Sequence, residues 1–291
     1  MKLDATTITP PIAAKDDPVV VVAPRLLVAL DLDGTTVNHS GELSPAVAAA
    51  VTDVVAAGHL LIISTGRSVV ATMPVVRALG LGAGYAVCSN GAVTIALDPG
   101  LVCGYEILET VTFDPRPALT LLRAAIPEAL VAVEDLGVGF KVSAPFPDGE
   151  LGGDQVVVDW EHLVGRLATR VTLRRPDATP EEFLQQVERA GLHGVSYAIG
   201  WTAWLDINPE GVTKASALEL LRRRLHIEPA LTVAVGDQRN DIEMLHWAAR
   251  GVAMGNAPDE VKAVADEVTS HVDEDGLVPV LRSLLQGRVA S

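Results

Sequence analysis

The chain has 291 residues, 49% of them hydrophobic and 20% charged, enough for one large or two modest globular domains. Its 22 Lys and Arg against 37 Asp and Glu leave a formal charge of −15, which argues against a nucleic-acid partner or an anionic lipid surface, since both need a basic face. Mean hydropathy is high at +0.32. The most apolar stretches are nevertheless interrupted, residues 19–30 by Pro24 and Arg25 and residues 47–63 by Asp53, Gly58 and His59, so no membrane span is expected.

Residues 1–24 carry charges and a Pro10-Pro11 pair but no apolar run with a cleavage site, and read as a flexible tail. From Leu26 onward, short apolar runs alternate with helical stretches, the rhythm of a parallel sheet with crossover helices. Residues 26–30 form a strand buried on both faces, and Ser44-Pro45 caps a helix that stops near Gly58. A second strand covers residues 59–63, a helix runs to about Leu79, and a third strand covers residues 85–88. Between 92 and 204 the pattern changes. Polar and prolyl turns separate short strands at 93–97, 131–134, 140–143 and 168–174, with one helix near 115–125 and another opening at the capping box Thr179-Pro180-Glu181-Glu182. The first rhythm then resumes: a helix from Thr213, a strand at 231–235, a helix from Asn240, a strand at 251–254 and a helix opened by Asn256-Ala257-Pro258, with 278–285 ending the fold. The expected architecture is a doubly wound α/β core (25–91 and 205–291) interrupted by an α+β insert (92–204).

Four clusters in this pattern carry chemistry. Asp31-Leu32-Asp33-Gly34-Thr35 puts two carboxylates at a strand's carboxyl end, where open α/β sheets bind ligands; Asp-Gly alone also simply makes a turn. Ser64-Thr65-Gly66-Arg67 offers a hydroxyl and backbone N–H groups to an anion, or a plain helix cap. Lys214 near a helix start opposes the helix dipole, so an anion such as a phosphoryl oxygen should compensate it; a solvated helix-surface lysine is the alternative. Asp237 and Asp241, around Gln238-Arg239-Asn240, bring two more carboxylates to a strand end, with oxygen ligands suited to Mg²⁺, although Asn240 or Asp237 can also serve as a helix cap. Asp31, Asp33, Asp237 and Asp241 would repel one another if crowded, and a divalent cation relieves that repulsion. Carboxylates, a metal, a hydroxyl, backbone donors and a lysine together suit phosphoryl transfer.

With Ser89-Asn90-Gly91-Ala92, Gly211-Val212-Thr213-Lys214 and Gly255-Asn256-Ala257 added, the series resembles the motifs of the haloacid dehalogenase superfamily, and more narrowly its Cof-type phosphatases, in order from about Leu26 to Leu285. The resemblance implies a Rossmann-like core with a large cap, and Asp31 as the nucleophile of an aspartyl-phosphate. It implies that Asp33 protonates the leaving oxygen and then activates water, and that Thr65 and Lys214 hold the phosphoryl oxygens. Asp237, Asp31 and the carbonyl of Asp33 would bind Mg²⁺, with Asp241 supporting it through water and Asn240 orienting Lys214 or the phosphate. Gly66, Arg67, Asn90 and Gly91 fit pocket-lining positions. Thr36 after Thr35, and Gln238-Arg239 between Asp237 and Asn240, depart slightly from the family pattern without touching this chemistry.

The implied activity is a Mg²⁺-dependent phosphatase for small phosphorylated metabolites, sugar phosphates foremost, in the cytoplasm, with no nucleic-acid or membrane partner and an oligomeric state the sequence leaves open. A phosphomutase or phosphotransferase on the same fold, or a module that only binds a phosphorylated ligand, are the rivals. The two cysteines, Cys88 and Cys103, form no metal or redox pattern. Trp201 and Trp204 fall on opposite faces of one expected strand, where core or hinge packing is the favoured reading and stacking of one of them on a sugar in the cleft the alternative. Glu134, Asp135 and Lys141 are candidates for the leaving group, or belong to a solvated loop, and Arg222-Arg223-Arg224 reads as a solvated helix face.

Overall fold

The computed structural model describes residues 24–199 and 202–285. The expected tail at 1–24 lies outside these residues except for Pro24, as does Trp201. Two sheets organise the described chain. In chain order the first elements are β1 (Leu27–Leu30), α1 (Pro45–Ala56), β2 (Leu60–Ser64), α2 (Val69–Ala78), β3 (Gly84–Cys88), β4 (Val93–Leu97) and β5 (Tyr105–Thr110). The second sheet and its helices follow: α3 (Arg116–Ala125), β6 (Leu130–Asp135), β7 (Gly139–Val142), β8 (Asp154–Val157), α4 (Trp160–Val164), β9 (Val171–Arg174), α5 (Pro180–Ala190), β10 (Val195–Ile199) and β11 (Trp204–Pro209). The chain then returns through α6 (Lys214–Arg224), β12 (Thr232–Gly236), α7 (Ile242–Trp247), β13 (Arg250–Ala253), α8 (Asp259–Lys262), β14 (Glu267–Val268) and α9 (Leu277–Ser283).

Among the described residues the first sheet has eight strands in the order β14-β13-β12-β1-β2-β3-β4-β5, parallel through β3 and then antiparallel. Its centre is apolar on both faces. Along β1, Val28 and Leu30 join the cluster under α1, α2 and α9, while Leu27 and Ala29 join the one under α6 and α7. All four are fully buried, which explains why this strand is a continuous apolar run rather than an alternating one. The local signals act as expected: Ser44 accepts from Ala46 N ahead of Pro45, and the Thr179/Glu182 capping box closes at the start of α5.

The second sheet, β10-β11-β9-β6-β7-β8, is antiparallel except for β7 with β8. One face packs on α3 and α5 through Leu119, Leu122, Phe183 and Val187. On the other, Ala132, Phe140, Val142, Phe146 and Leu151 form a smaller cluster against Trp204. The strands and helices of this second sheet come from the chain between β5 and α6, against the expected insert at 92–204. β4 and β5 hydrogen-bond into the first sheet, so the departure falls after Thr110 rather than at 92, and β11 belongs to the second sheet, so the return falls after Pro209 rather than at 204. Short strands between turns look alike in either sheet; only the pairing partner separates them. No described helix is long and apolar enough to cross a membrane.

Candidate active site

The carboxyl ends of β1, β2, β3 and β12 meet at one edge of the first sheet, and each is followed by one of the motif loops. β1 has β2 on one side and β12 on the other, so its end is a crevice where the connections diverge. Asp31, Asp237 and Asp241 converge there, each buried, with one carboxylate oxygen apiece lying within 4.8 Å of the others. Lys214, the first residue of α6, reaches into the cluster, and its Nζ donates to Asp31 Oδ1 and to Asp241 Oδ1, both at 2.6 Å. The anion that the sequence demanded for this lysine is thus a pair of protein carboxylates.

Backbone and hydroxyl donors fix the rest. Asp241 Oδ2 accepts from Asp237 N (3.0 Å) and Gln238 N (2.9 Å). Asp237 accepts from Thr35 Oγ1 (3.1 Å) and from Asn256 Nδ2 (3.0 Å), whose amide also donates to the Gly34 carbonyl. Thr36 Oγ1 donates to the Asp31 carbonyl at 2.6 Å. Gly34 sits at φ +80°, and a Cβ there would lie 2.2 Å from Asp237 Oδ2, so only glycine lets the β1 loop approach the β12 loop this closely.

The electrostatics follow from crowding. Burial, then Asp241, raise the Asp31 carboxyl well above its ordinary value despite Lys214. Burial and Asp241 likewise push Asp237 up to about 7, against the Thr35 hydrogen bond. For Lys214, burial pulls downward, but Asp241 and Asp31 outweigh it and the net shift is upward. Three carboxylates with one ammonium leave an excess of negative charge in a buried place. Hard oxygen donors at this spacing fit a divalent cation of the Mg²⁺ type.

A cleft of about 750 Å³ opens above Asp31 and Asp33, with Thr65, Gly66 and Arg67 on its core side and Arg170, Trp204 and Asp206 on its cap side. Asp33 stands at the mouth with its side chain 45% exposed, turned from the three-carboxylate cluster towards Arg67, which grips it through Nε (2.8 Å) and Nη2. The hydroxyl of Thr65 accepts from Arg67 N at 3.1 Å.

Asn240 is not hydrogen-bonded to Lys214. Its Nδ2 donates to Asn90 Oδ1 at 2.9 Å, and Asp241 is the neighbour that holds the lysine. Asn90 and Gly91 form a turn at the wall of the site, where a Cβ on Gly91 would lie 2.2 Å from the Thr213 carbonyl.

Of the weaker candidates, Trp204 does line the cleft, edge-on to Phe146 with ring centroids 6.2 Å apart. Lys141 pairs with Asp135 at 3.4 Å. Glu134 is no loop residue: it is buried in β6 and accepts from Ser89 Oγ and Thr169 Oγ1. Arg222 is not simply solvated either, since it holds Glu219 and the Ile227 carbonyl. Asn256, quoted only for its motif, and the cap residues Arg170 and Asn208 were not singled out for the site by sequence, and Glu134 was offered only for the leaving group. They act through long-range hydrogen bonds that no local spacing reveals.

A family model of haloacid dehalogenase-like hydrolases matches residues 28–109 and 156–281. The chain is 29% identical over 278 residues to the pyridoxal phosphate phosphatase YbhA of Escherichia coli, covering 89% of this chain and 98% of that one. It is 27% identical over 301 residues to the phosphatase YwpJ of Bacillus subtilis, covering 89% and 99%. Its fold superposes on the phosphatase BT1666 of Bacteroides thetaiotaomicron with a TM-score of 0.73 at 26% identity, over 92% and 97% of the two chains. Motif order, site geometry and these likenesses agree: the chain belongs to the haloacid dehalogenase-like hydrolases, as a phosphatase of the Cof type.

Proposed function

We propose that this enzyme hydrolyses small phosphorylated metabolites through an aspartyl-phosphate on Asp31, with Mg²⁺ held by Asp31, Asp237 and the carbonyl of Asp33 and supported by Asp241. The observation that carries the reading is the buried ammonium of Lys214, 2.6 Å from both Asp31 and Asp241, with Asp31 itself lining the cleft. Bound Mg²⁺ would supply positive charge to the transferring phosphoryl group and to the crowded carboxylates.

The protein groups do the rest. Asp31 attacks phosphorus in line, expelling the alcohol. Asp33, exposed at the cleft mouth, protonates the departing oxygen and later takes a proton from the water that opens the acyl phosphate. Lys214, the Thr65 hydroxyl and the backbone N–H of Gly66 neutralise the phosphoryl oxygens, while Thr65 N and Arg67 N hold the loop in shape by donating to the Val87 carbonyl and the Thr65 hydroxyl. The cap wall, with Trp204, Arg170 and Asp206, contacts the leaving group, and the mixture of an aromatic ring with charged hydrogen-bonding groups suits polar, ring-containing alcohols such as sugars. The relatives named above for phosphatase activity support the same reaction, and a cytoplasmic setting suits metabolite substrates.

Phosphate release from a panel of phosphometabolites tests this. EDTA should abolish release and Mg²⁺ restore it; activity that survives complete metal removal would refute the metal assignment. With a hexose 1-phosphate, free phosphate should accumulate. A positional isomer formed without phosphate would establish a mutase instead.

A further inference from the structure

The turn Ser89-Asn90-Gly91 is the node where the parts of the site meet. Asn90 N donates to the Thr65 carbonyl at 3.0 Å and Ser89 N to the Arg67 carbonyl at 2.8 Å, so the turn carries the 65–67 loop. Gly91 lies against the Thr213 carbonyl, so the turn also abuts the start of the helix that bears Lys214. Asn240, next to Asp241, donates to Asn90. Yet the turn is not restful: Ser89 has φ +49° and Asn90 φ +53°, two consecutive side-chain-bearing residues in the left-handed region.

Beside these contacts from the first sheet and its loops, two residues of the second sheet grip the turn. Asn208 of β11 donates through Nδ2 to the Ser89 carbonyl (2.9 Å) and the Thr169 carbonyl (3.3 Å), and its Oδ1 accepts from Asn90 Nδ2 (3.2 Å). Glu134 of β6 accepts from Ser89 Oγ (2.7 Å) and Thr169 Oγ1 (2.8 Å). Both are buried, at 3% and 8% exposure, and neither lines the cleft above Asp31. We infer that Glu134 and Asn208 are positioning residues of the cap that hold the Ser89-Asn90-Gly91 turn in its left-handed form and so set the phosphoryl-binding loop and Lys214 relative to Asp31. The cap thereby completes the phosphoryl site itself, apart from any contact with the leaving group. This rests on the phosphatase reading above.

The consequence is particular. A cap residue that touches the leaving group changes one substrate more than another, whereas a residue that holds the phosphoryl cradle affects every substrate alike. Asn208→Asp keeps size and acceptor but replaces the donor to the Ser89 and Thr169 carbonyls; Glu134→Ala removes the acceptor, and Glu134→Gln retains a carbonyl oxygen for both hydroxyls. The experiment measures kcat/KM for several phosphate monoesters with unlike leaving groups, and inhibition by orthovanadate, for the Mg²⁺-loaded wild type, the three variants and Asn208→Asp/Glu134→Ala.

Asn208→Asp and Glu134→Ala should each lose roughly 10- to 100-fold in kcat/KM by the same factor on every substrate, with vanadate inhibition weakened in step. Glu134→Gln should stay within a few-fold of wild type, and the double variant should lose far less than the product of the singles, because both act on one turn. Losses confined to some leaving groups, or full activity with unchanged vanadate inhibition in Asn208→Asp and Glu134→Ala, would overturn the inference. Failure of the wild type to hydrolyse any monoester would instead refute the phosphatase reading.

Discussion

Asp31 and Lys214 form a buried ion pair whose members the chain separates by 183 positions. Replacing Asp31 by Asn preserves shape and a hydrogen-bond acceptor for Lys214 but removes the nucleophile. Turnover should fall by at least about a thousandfold while circular dichroism stays that of the wild type. Retention of even a tenth of the rate would contradict covalent catalysis at this residue. The cysteines make a second residue-scale test. Burial pushes the Cys88 thiol up to about 12, whereas Cys103 is exposed. A thiol-specific disulfide reagent at pH 8 should therefore modify one cysteine per folded chain and two after denaturation. Rapid modification of Cys88 in the native protein would contradict its placement.

Elements matter here because loops at strand ends carry the chemistry and tight contacts set the spacing between them. Gly91→Ala combines a positive φ (+104°) with a Cβ that would press on the Thr213 carbonyl, at the start of the helix that presents Lys214. It should lower both the melting temperature and kcat. Thr179→Ala removes only the cap of α5, on the outer face of the inserted sheet, and should cost about 1 kcal/mol in a denaturant titration without changing kcat/KM. Equal loss of activity in both would mean that cap-helix stability, rather than loop placement, governs catalysis.

The same scale shows what a sequence can and cannot disclose. The buried parallel strands and the capped helices were readable because their signals are local: continuous apolar runs, Ser44-Pro45, the Thr179 box. The convergence of Asp31, Asp237 and Lys214 was foreseeable from strand-end positions. By contrast, the pairing of β4 and β5 with the first sheet, and the roles of Asn208 and Glu134, depend on partners up to 119 residues away. Glu134, at the end of the expected strand 131–134, reads from sequence as a leaving-group contact or a solvated-loop residue, because nothing nearby marks it as buried against Ser89 and Thr169.

For the molecule as a whole, the crowded carboxylates link metal, protons and stability. Asp31 and Asp237 have folded-state values raised above those of the unfolded chain, to about 7 for Asp237, through burial and mutual repulsion. Their favourable contribution is complete below the ordinary carboxylate range and is lost as pH rises through the folded value. Protein stripped of metal should therefore melt at lower temperature at pH 8 than at pH 5. Added Mg²⁺ should raise the melting temperature more at pH 8, where it binds ionised carboxylates without displacing protons. A metal-free melting temperature that rises from pH 5 to pH 8, with no Mg²⁺ effect at either, would contradict the cluster's electrostatics.

The central claim is that phosphorus passes from substrate to Asp31 and then to water. The stereochemical course at phosphorus reports this directly, using a substrate made chiral with oxygen isotopes and thiophosphate and hydrolysed in labelled water. Two successive in-line displacements invert the centre twice, so configuration at phosphorus should be retained overall. Net inversion would mean a single attack by water on the ester and would rule out Asp31 as the nucleophile.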